Sequence, residues 1–219
     1  MSSERRENNF EFRIPNSEFR IIGLTGGIST GKSTVSQYLV TEYRLPILDA
    51  DIYAREAVQL GSPILNAIAQ RYDKNILQAD GTLDRQQLAR IIFNNSTEKQ
   101  WLERQIHPYV RDRFEQEINK LSVPIVVLVI PLLFEAEMTD LVTEIWVVSC
   151  SPQQQIDRLI QRDNLTLEQA QARINSQMPL SEKCDRADVV LDNSSTLEDL
   201  KQQVDLAIKK FNSSIRPPA

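Results

Sequence analysis

Gly26-Gly27-Ile28-Ser29-Thr30-Gly31-Lys32-Ser33 is the stretch on which the reading of the fold turns. It fits G-x-x-x-x-G-K-[ST]. Glycines allow backbone angles that aim successive N–H groups at phosphate oxygens. The helix that follows offers its free first-turn N–H groups and positive dipole end to the same anion. In such a loop Lys32 reaches the outer phosphates of a nucleoside triphosphate, and the Ser33 hydroxyl coordinates Mg²⁺. The bland alternative is a glycine-rich strand-to-helix turn without ligand. Against it stands the context: an apolar strand leads in through Ile21, Ile22 and Leu24, and an amphipathic helix leads out through Val35, Tyr38 and Leu39.

Working outward, short apolar runs alternate with helical patterns. The runs are Arg20 to Thr25, Leu45 to Leu48, Ile125 to Ile130, Glu144 to Ser149 and Asp188 to Leu191. Those at 125–130 and 145–148 are almost wholly apolar, as strands covered on both faces must be. Helices between such strands predict an α/β fold, a doubly wound parallel sheet of five strands. Two stretches exceed what a crossover needs. About 75 residues separate the second and third runs, where about a dozen suffice. They read as several helices, including Asp84 to Phe93 and Glu98 to Lys120. A shorter insert spans Gln161 to Asp185. Helix starts are marked at Ser151-Pro152-Gln153-Gln154 and at Thr166-Leu167-Glu168-Gln169, both with capping-box spacing. Between them, Arg162-Asp163-Asn164-Leu165 reads as a tight helix-helix connection. The organisation expected is a core of 20–58, 122–150 and 186–212. It carries a helical insert at 59–121 and a small helical segment at 151–185, with flexible tails at 1–19 and 213–219.

Bulk properties narrow the class. The chain has 219 residues, 41% of them hydrophobic, and a net charge of -5. An acidic balance argues against a general nucleic-acid binder, but not against a phosphorylated substrate, whose site depends on local donors. The N-terminal stretch is polar and charged and lacks a secretory apolar core. The apolar stretch Val123 to Phe134 is broken by Pro124 and Pro131 and is shorter than the ~20 residues of a membrane span. Two distant cysteines, Cys150 and Cys184, and one histidine favour reduced thiols and no zinc site. A cytoplasmic protein, monomeric or a small homo-oligomer, is the expectation.

The loop admits several enzyme classes. A GTPase carries a base-reading Asn-Lys-x-Asp, whereas Asn119-Lys120 continues to Leu121-Ser122. Transport ATPases end the second apolar strand in an Asp that orients the metal. Here that strand ends in Pro131, with Glu135 the nearest acid, which favours a small-molecule kinase. Asp49-Ala50-Asp51 follows the second run, on the same sheet edge as the loop. Two carboxylates there suit orienting or deprotonating an acceptor hydroxyl; alternatively, Asp49 caps the next helix and Asp51 supports its dipole. Arg55, four residues on, is either a substrate contact or an ion-pair partner worth only ~0.2–0.5 kcal/mol. Arg158 and Arg162 share a helix face and either neutralise transferring phosphate or are solvated. His107, followed by Pro108, reads on spacing alone as structural more often than functional.

Together these residues form an ordered pattern. Leu24-Thr25-Gly26-Gly27-Ile28, Gly31-Lys32-Ser33-Thr34, Asp49-Ala50-Asp51 and Ala54-Arg55 resemble dephospho-CoA kinase. So do Asp80-Gly81-Thr82-Leu83, Ile92-Phe93, Trp101-Leu102, His107-Pro108, Pro131-Leu132-Leu133-Phe134-Glu135, Gln161-Arg162-Asp163 and Asp192-Asn193. The resemblance runs from Ile21 to about Phe211. It implies a P-loop core, a helical CoA-binding insert and a lid. The reaction implied is transfer of the ATP γ-phosphate to the ribose 3′-hydroxyl of dephospho-CoA, the last step of CoA synthesis. Gly26 to Thr34 would bind ATP, and Asp192 to Ser194, with Asn193, would lie near the adenine. Asp51 matches the catalytic base and Arg162 the lid arginine. His107, Pro108, Pro131, Leu132 and Glu135 match the acceptor-binding region.

One departure concerns the loop itself. The family commonly has Gly-Ser before Gly-Lys, whereas this chain has Ser29-Thr30; a left-handed backbone at Ser29 would carry strain. Two other readings stay open on the residues: another small-molecule or nucleoside monophosphate kinase on the same core, and a nucleotide switch without turnover.

Overall fold

The computed structural model describes residues 19–93 and 95–212. The tails read at 1–19 and 213–219 fall outside the described residues, save Phe19. Strand β1 (Arg20–Gly26) is buried at every position, which requires cover on both faces. It lies at the centre of a five-stranded sheet of order β2-β3-β1-β4-β5. The partners are β2 (Ile47–Asp49), β3 (Ile125–Val129), β4 (Glu144–Ser149) and β5 (Val189–Asp192). Every neighbouring pair is parallel, as the alternation of runs and helices predicts. The carboxyl ends of all five strands therefore share one edge, where an open α/β sheet binds its ligands.

Side chains two residues apart point to the same face of a strand, and the sheet divides two cores accordingly. Ile22, Leu24, Val127, Val129 and Trp146 pack beneath α1 (Lys32–Tyr43) and α9 (Leu197–Asn212). Ile21, Val126 and Leu128 pack beneath α2 (Ala50–Glu56) and α5 (Ser96–Ile118), whose Tyr53 and Phe114 meet edge to face at 5.2 Å. A third cluster, including Leu65, Ile68, Ile76, Leu83 and Leu88, belongs to the stretch between β2 and β3. It joins α3 (Pro63–Tyr72), a 3₁₀ turn at Lys74–Ile76 and α4 (Arg85–Phe93) to α5. Three further helices, α6 (Pro152–Asp163), α7 (Leu167–Asn175) and α8 (Leu180–Asp185), connect β4 to β5. No helix among the described residues is long and apolar enough to cross a membrane.

Several boundaries differ from those read in the sequence, for identifiable reasons. β2 begins at Ile47 because Pro46 has no N–H to give and the Leu45 N–H is drawn back to the Leu39 carbonyl at 3.2 Å. α4 starts after Asp84, whose Oδ1 accepts the Gln87 N–H at 2.9 Å. α5 starts at Ser96, two residues early, because Asn95 caps it through the Thr97 and Glu98 amides at 3.0 and 3.2 Å. Both capping boxes, at Ser151 and Thr166, are formed. The tight connection assigned to 162–165 is corrected: α6 runs through Asp163 and turns at Asn164, which has φ 52°. Arg162 is therefore held on the last helical turn, not in a loop.

Phe114, fully buried, gives a test of this packing. Phe114→Ala should cost about 3–5 kcal/mol in urea unfolding. Leu206→Ala on the outer face of α9, 68% exposed, should stay within about 0.5 kcal/mol.

Candidate active site

The first turn of α1 has no side-chain cap: its N-cap is Gly31, at φ 108°. The free N–H groups that such a start leaves are an anion site. The loop's carbonyls, by contrast, are engaged. Lys32 Nζ donates to the Gly27 and Gly26 carbonyls at 2.7 and 3.2 Å. Thr30 Oγ1 donates to the Gly27 carbonyl at 3.0 Å, and Asn193 Nδ2 to the Thr30 carbonyl at 2.8 Å. Asn193 is itself fixed: its N–H donates to the Ser149 carbonyl at 2.8 Å, and its carbonyl accepts from Arg158 Nη2 at 3.0 Å. A Cβ on Gly31 would stand 2.2 Å from Asn193 Nδ2. Glycine is thus required there twice, for its angle and for its missing side chain.

Ser29 answers the question its sequence raised. It sits at φ 59°, in the left-handed region that costs a non-glycine residue roughly 1–2 kcal/mol. Its Oγ is also buried without a hydrogen-bond partner among the described residues.

The loop opens on a cavity of about 440 Å³. Ser29, Lys32, Ser33, Asp49, Asp51 and Arg162 line it, with Pro131 and Leu132 on the wall that follows β3. Asp49 does two things at once. It faces the cavity, and its Oδ1 caps α2 through the Asp51 N–H at 2.8 Å. Asp51 has solvent access yet is recessed in the cavity. Loss of hydration raises its carboxyl above the ordinary value, Asp49 adds to the rise, and Arg55 and Lys32 oppose it. Lys32 is lowered to about 8, first by burial and next by the charge of Lys183; Asp51 and Glu135 pull the other way and Arg162 adds to the lowering. Arg162 pairs with Asp163 through Nε at 2.8 Å and Nη2 at 3.1 Å, which raises its pKa.

A phosphate loop at the centre of a parallel sheet, with paired carboxylates and an arginine around one cavity, has close counterparts among known proteins. The family model for dephospho-CoA kinase matches residues 20–199. The chain belongs to the dephospho-CoA kinase family. A dephospho-CoA kinase of Trichormus variabilis is 66% identical over 189 residues, covering 86% of this chain and 96% of that protein. The solved structure of TT1252 from Thermus thermophilus matches with a TM-score of 0.76 at 34% identity, over 90% of this chain and 98% of that one. Dephospho-CoA kinase from Campylobacter jejuni matches with a TM-score of 0.66 at 28% identity, over 90% of this chain and 98% of its own.

The remaining residues that resemble this family's motifs do not all face the cavity. Thr34 continues α1 and donates its N–H to the Gly31 carbonyl at 3.0 Å. Gly26 is buried at the end of β1, and Gly27 lines a neighbouring cavity that also holds Cys150 and Cys184, both free thiols. Arg55 acts on Asp51 through its charge without reaching the cavity wall. His107 and Pro108 lie within α5, outside the cavity; burial lowers the imidazole pKa, against the pull of Glu103. Glu135 Oε1 accepts from Lys183 Nζ at 2.8 Å and from the Met178 N–H at 3.0 Å.

Three residues that sequence reasoning missed bear on the site. Gln155, buried on α6, donates Nε2 to the Ile28 carbonyl at 2.9 Å. Gln177, between α7 and α8, accepts the Ile28 N–H at 3.0 Å and lines the cavity. Lys183 on α8 is fully buried. Only Gln155 carried a signal, a polar residue one helical turn before the apolar Leu159.

Ser29→Gly should stabilise the protein, since relief of ~1–2 kcal/mol exceeds the ~0.5–1 kcal/mol that glycine adds to unfolded-chain freedom. A rise of about 1–3 °C in melting temperature is the expected reading. Gly31→Ala should do the reverse and abolish ATP binding in calorimetry.

Proposed function

We propose that this chain transfers the γ-phosphate of ATP to the ribose 3′-hydroxyl of dephospho-CoA, releasing ADP and CoA. The observation that carries the proposal is the joint opening of Lys32, Ser33, Asp49, Asp51 and Arg162 on one cavity beneath a glycine-shaped loop. The acceptor comes from membership of the family. The loop amides from Gly26 to Thr34 and Lys32 hold the triphosphate, with Asn193 bracing the loop on the adenine side. Asp51, ionised, accepts a hydrogen bond from the acceptor hydroxyl and takes its proton as the P–O bond forms. The bond from the γ-phosphorus to the bridging oxygen breaks, and its electron pair leaves with ADP. Arg162 turns from Asp163 toward the transferring group and offsets its charge. Pro131 and Leu132 shape the acceptor side, and Arg55, His107, Pro108 and Glu135 support it.

Mg²⁺ suits this donor set, because a hard cation takes oxygen ligands and few from protein when phosphates supply the rest. The Ser33 hydroxyl would hold it, with the Asp49 and Asp51 carboxylates on the same cavity wall. When bound, it would neutralise charge on the β- and γ-phosphate oxygens. Free thiols fit work in the reducing cytoplasm.

The decisive experiment is ADP release from ATP–Mg²⁺ with dephospho-CoA, with the product's 3′-phosphate verified by ³¹P NMR. Activity confined to shikimate or a nucleoside monophosphate would reject the acceptor. Arg162→Ala should slow turnover about 10³–10⁵-fold, at least as much as Asp51→Asn at about 10²–10⁴-fold. The pH profile carries a further expectation. Asp51 acts in its charged form and its pKa lies above 3.8. kcat/KM should therefore fall as pH drops through that raised value, and Asp51→Asn should lose the acid limb.

A further inference from the structure

Lys183 lies outside every role assigned so far, yet it is the least accessible charge near the site. Its side chain has no solvent exposure. Burying an ammonium is costly unless it is paired and hydrogen-bonded, and the structure supplies both: Glu135 Oε1 at 2.8 Å and the Pro131 carbonyl at 3.2 Å. The same Pro131 carbonyl accepts from Thr25 Oγ1 at 3.2 Å. One atom thus joins the end of β1, the wall after β3 and helix α8. Glu135 closes the ring by accepting the Met178 N–H at 3.0 Å.

We propose that Lys183 is a positioning residue of the phosphoryl-transfer site. It clamps the Pro131–Glu135 wall to the α7–α8 segment. The inference deepens the kinase reading above and rests on it for the acceptor. Pro131 and Leu132 share the cavity with Asp51, so releasing their anchor displaces the acceptor's side of the site.

The test uses Lys183→Met in the full chain, with Glu135→Gln/Lys183→Met in parallel so that no buried carboxylate is left alone. ATP binding is followed by calorimetry without acceptor, and steady-state constants are measured with dephospho-CoA. Melting temperature is recorded for each protein. In both variants the KM for dephospho-CoA should rise about tenfold to a hundredfold, with a smaller change in the KM for ATP and in its calorimetric affinity. A purely structural lysine would lower the melting temperature without raising the acceptor KM above the change seen for ATP. An unchanged acceptor KM in either folded variant, or a rise in the KM for ATP that matches it, overturns the proposal. Wild-type inactivity toward dephospho-CoA would strike the acceptor reading alone, and the same comparison of KM values then uses the acceptor that the wild type does phosphorylate.

Discussion

A phosphate site built from main-chain N–H groups keeps its shape only if the carbonyls of the same peptides are satisfied elsewhere. Otherwise the loop would relax to pair its own donors and acceptors. In this protein the carbonyls of Gly26, Gly27, Ile28 and Thr30 accept, in turn, from Lys32, from Lys32 and Thr30, from Gln155 and from Asn193. Those partners come from the loop itself, from α1, from α6 and from the turn after β5. The neighbouring strands hold the loop's first end, since β1 is paired on both edges. The strained angle at Ser29 persists because these bonds over-determine the backbone around it.

Charge is the second organising constraint. Lys32, Lys183 and Arg162 converge on a region that also holds Asp49, Asp51 and Glu135. The carboxylates that offset the cations are shared out unequally. Glu135 is committed to Lys183 and Arg162 to Asp163, while Asp51 is left with a raised pKa beside Asp49. Environments that push neighbouring ionisable groups apart in this way mark sites of chemistry more than sites of stability.

The sheet and the loop were legible because both are written in contiguous sequence. The glycine-lysine spacing lies within eight residues, and each buried strand is a short apolar run. Asp49 and Asp51 were legible through the rule that strand ends gather on one edge. Where local reading slipped, local chemistry was the reason: Pro46 shortened β2, Asn95 capped α5 early, and α6 ran on through Arg162. The family pattern, not spacing, pointed to Asn193. Gln155, Gln177 and Lys183 stayed hidden because their partners lie 127, 149 and 52 positions away. Apart from the place of Gln155 one turn before Leu159, no periodicity distinguishes them from surface glutamines and lysines, since the tertiary fold decides which polar side chain meets a loop.

Ile28 has its two main-chain polar groups held by different pieces of the chain, its carbonyl by α6 and its amide by the link between α7 and α8. A displacement of either piece therefore reaches the loop at a single residue. Because Gln177 spends its amide oxygen on this bond, the Ile28 N–H is satisfied within the chain and the loop is tied to the stretch that carries α8.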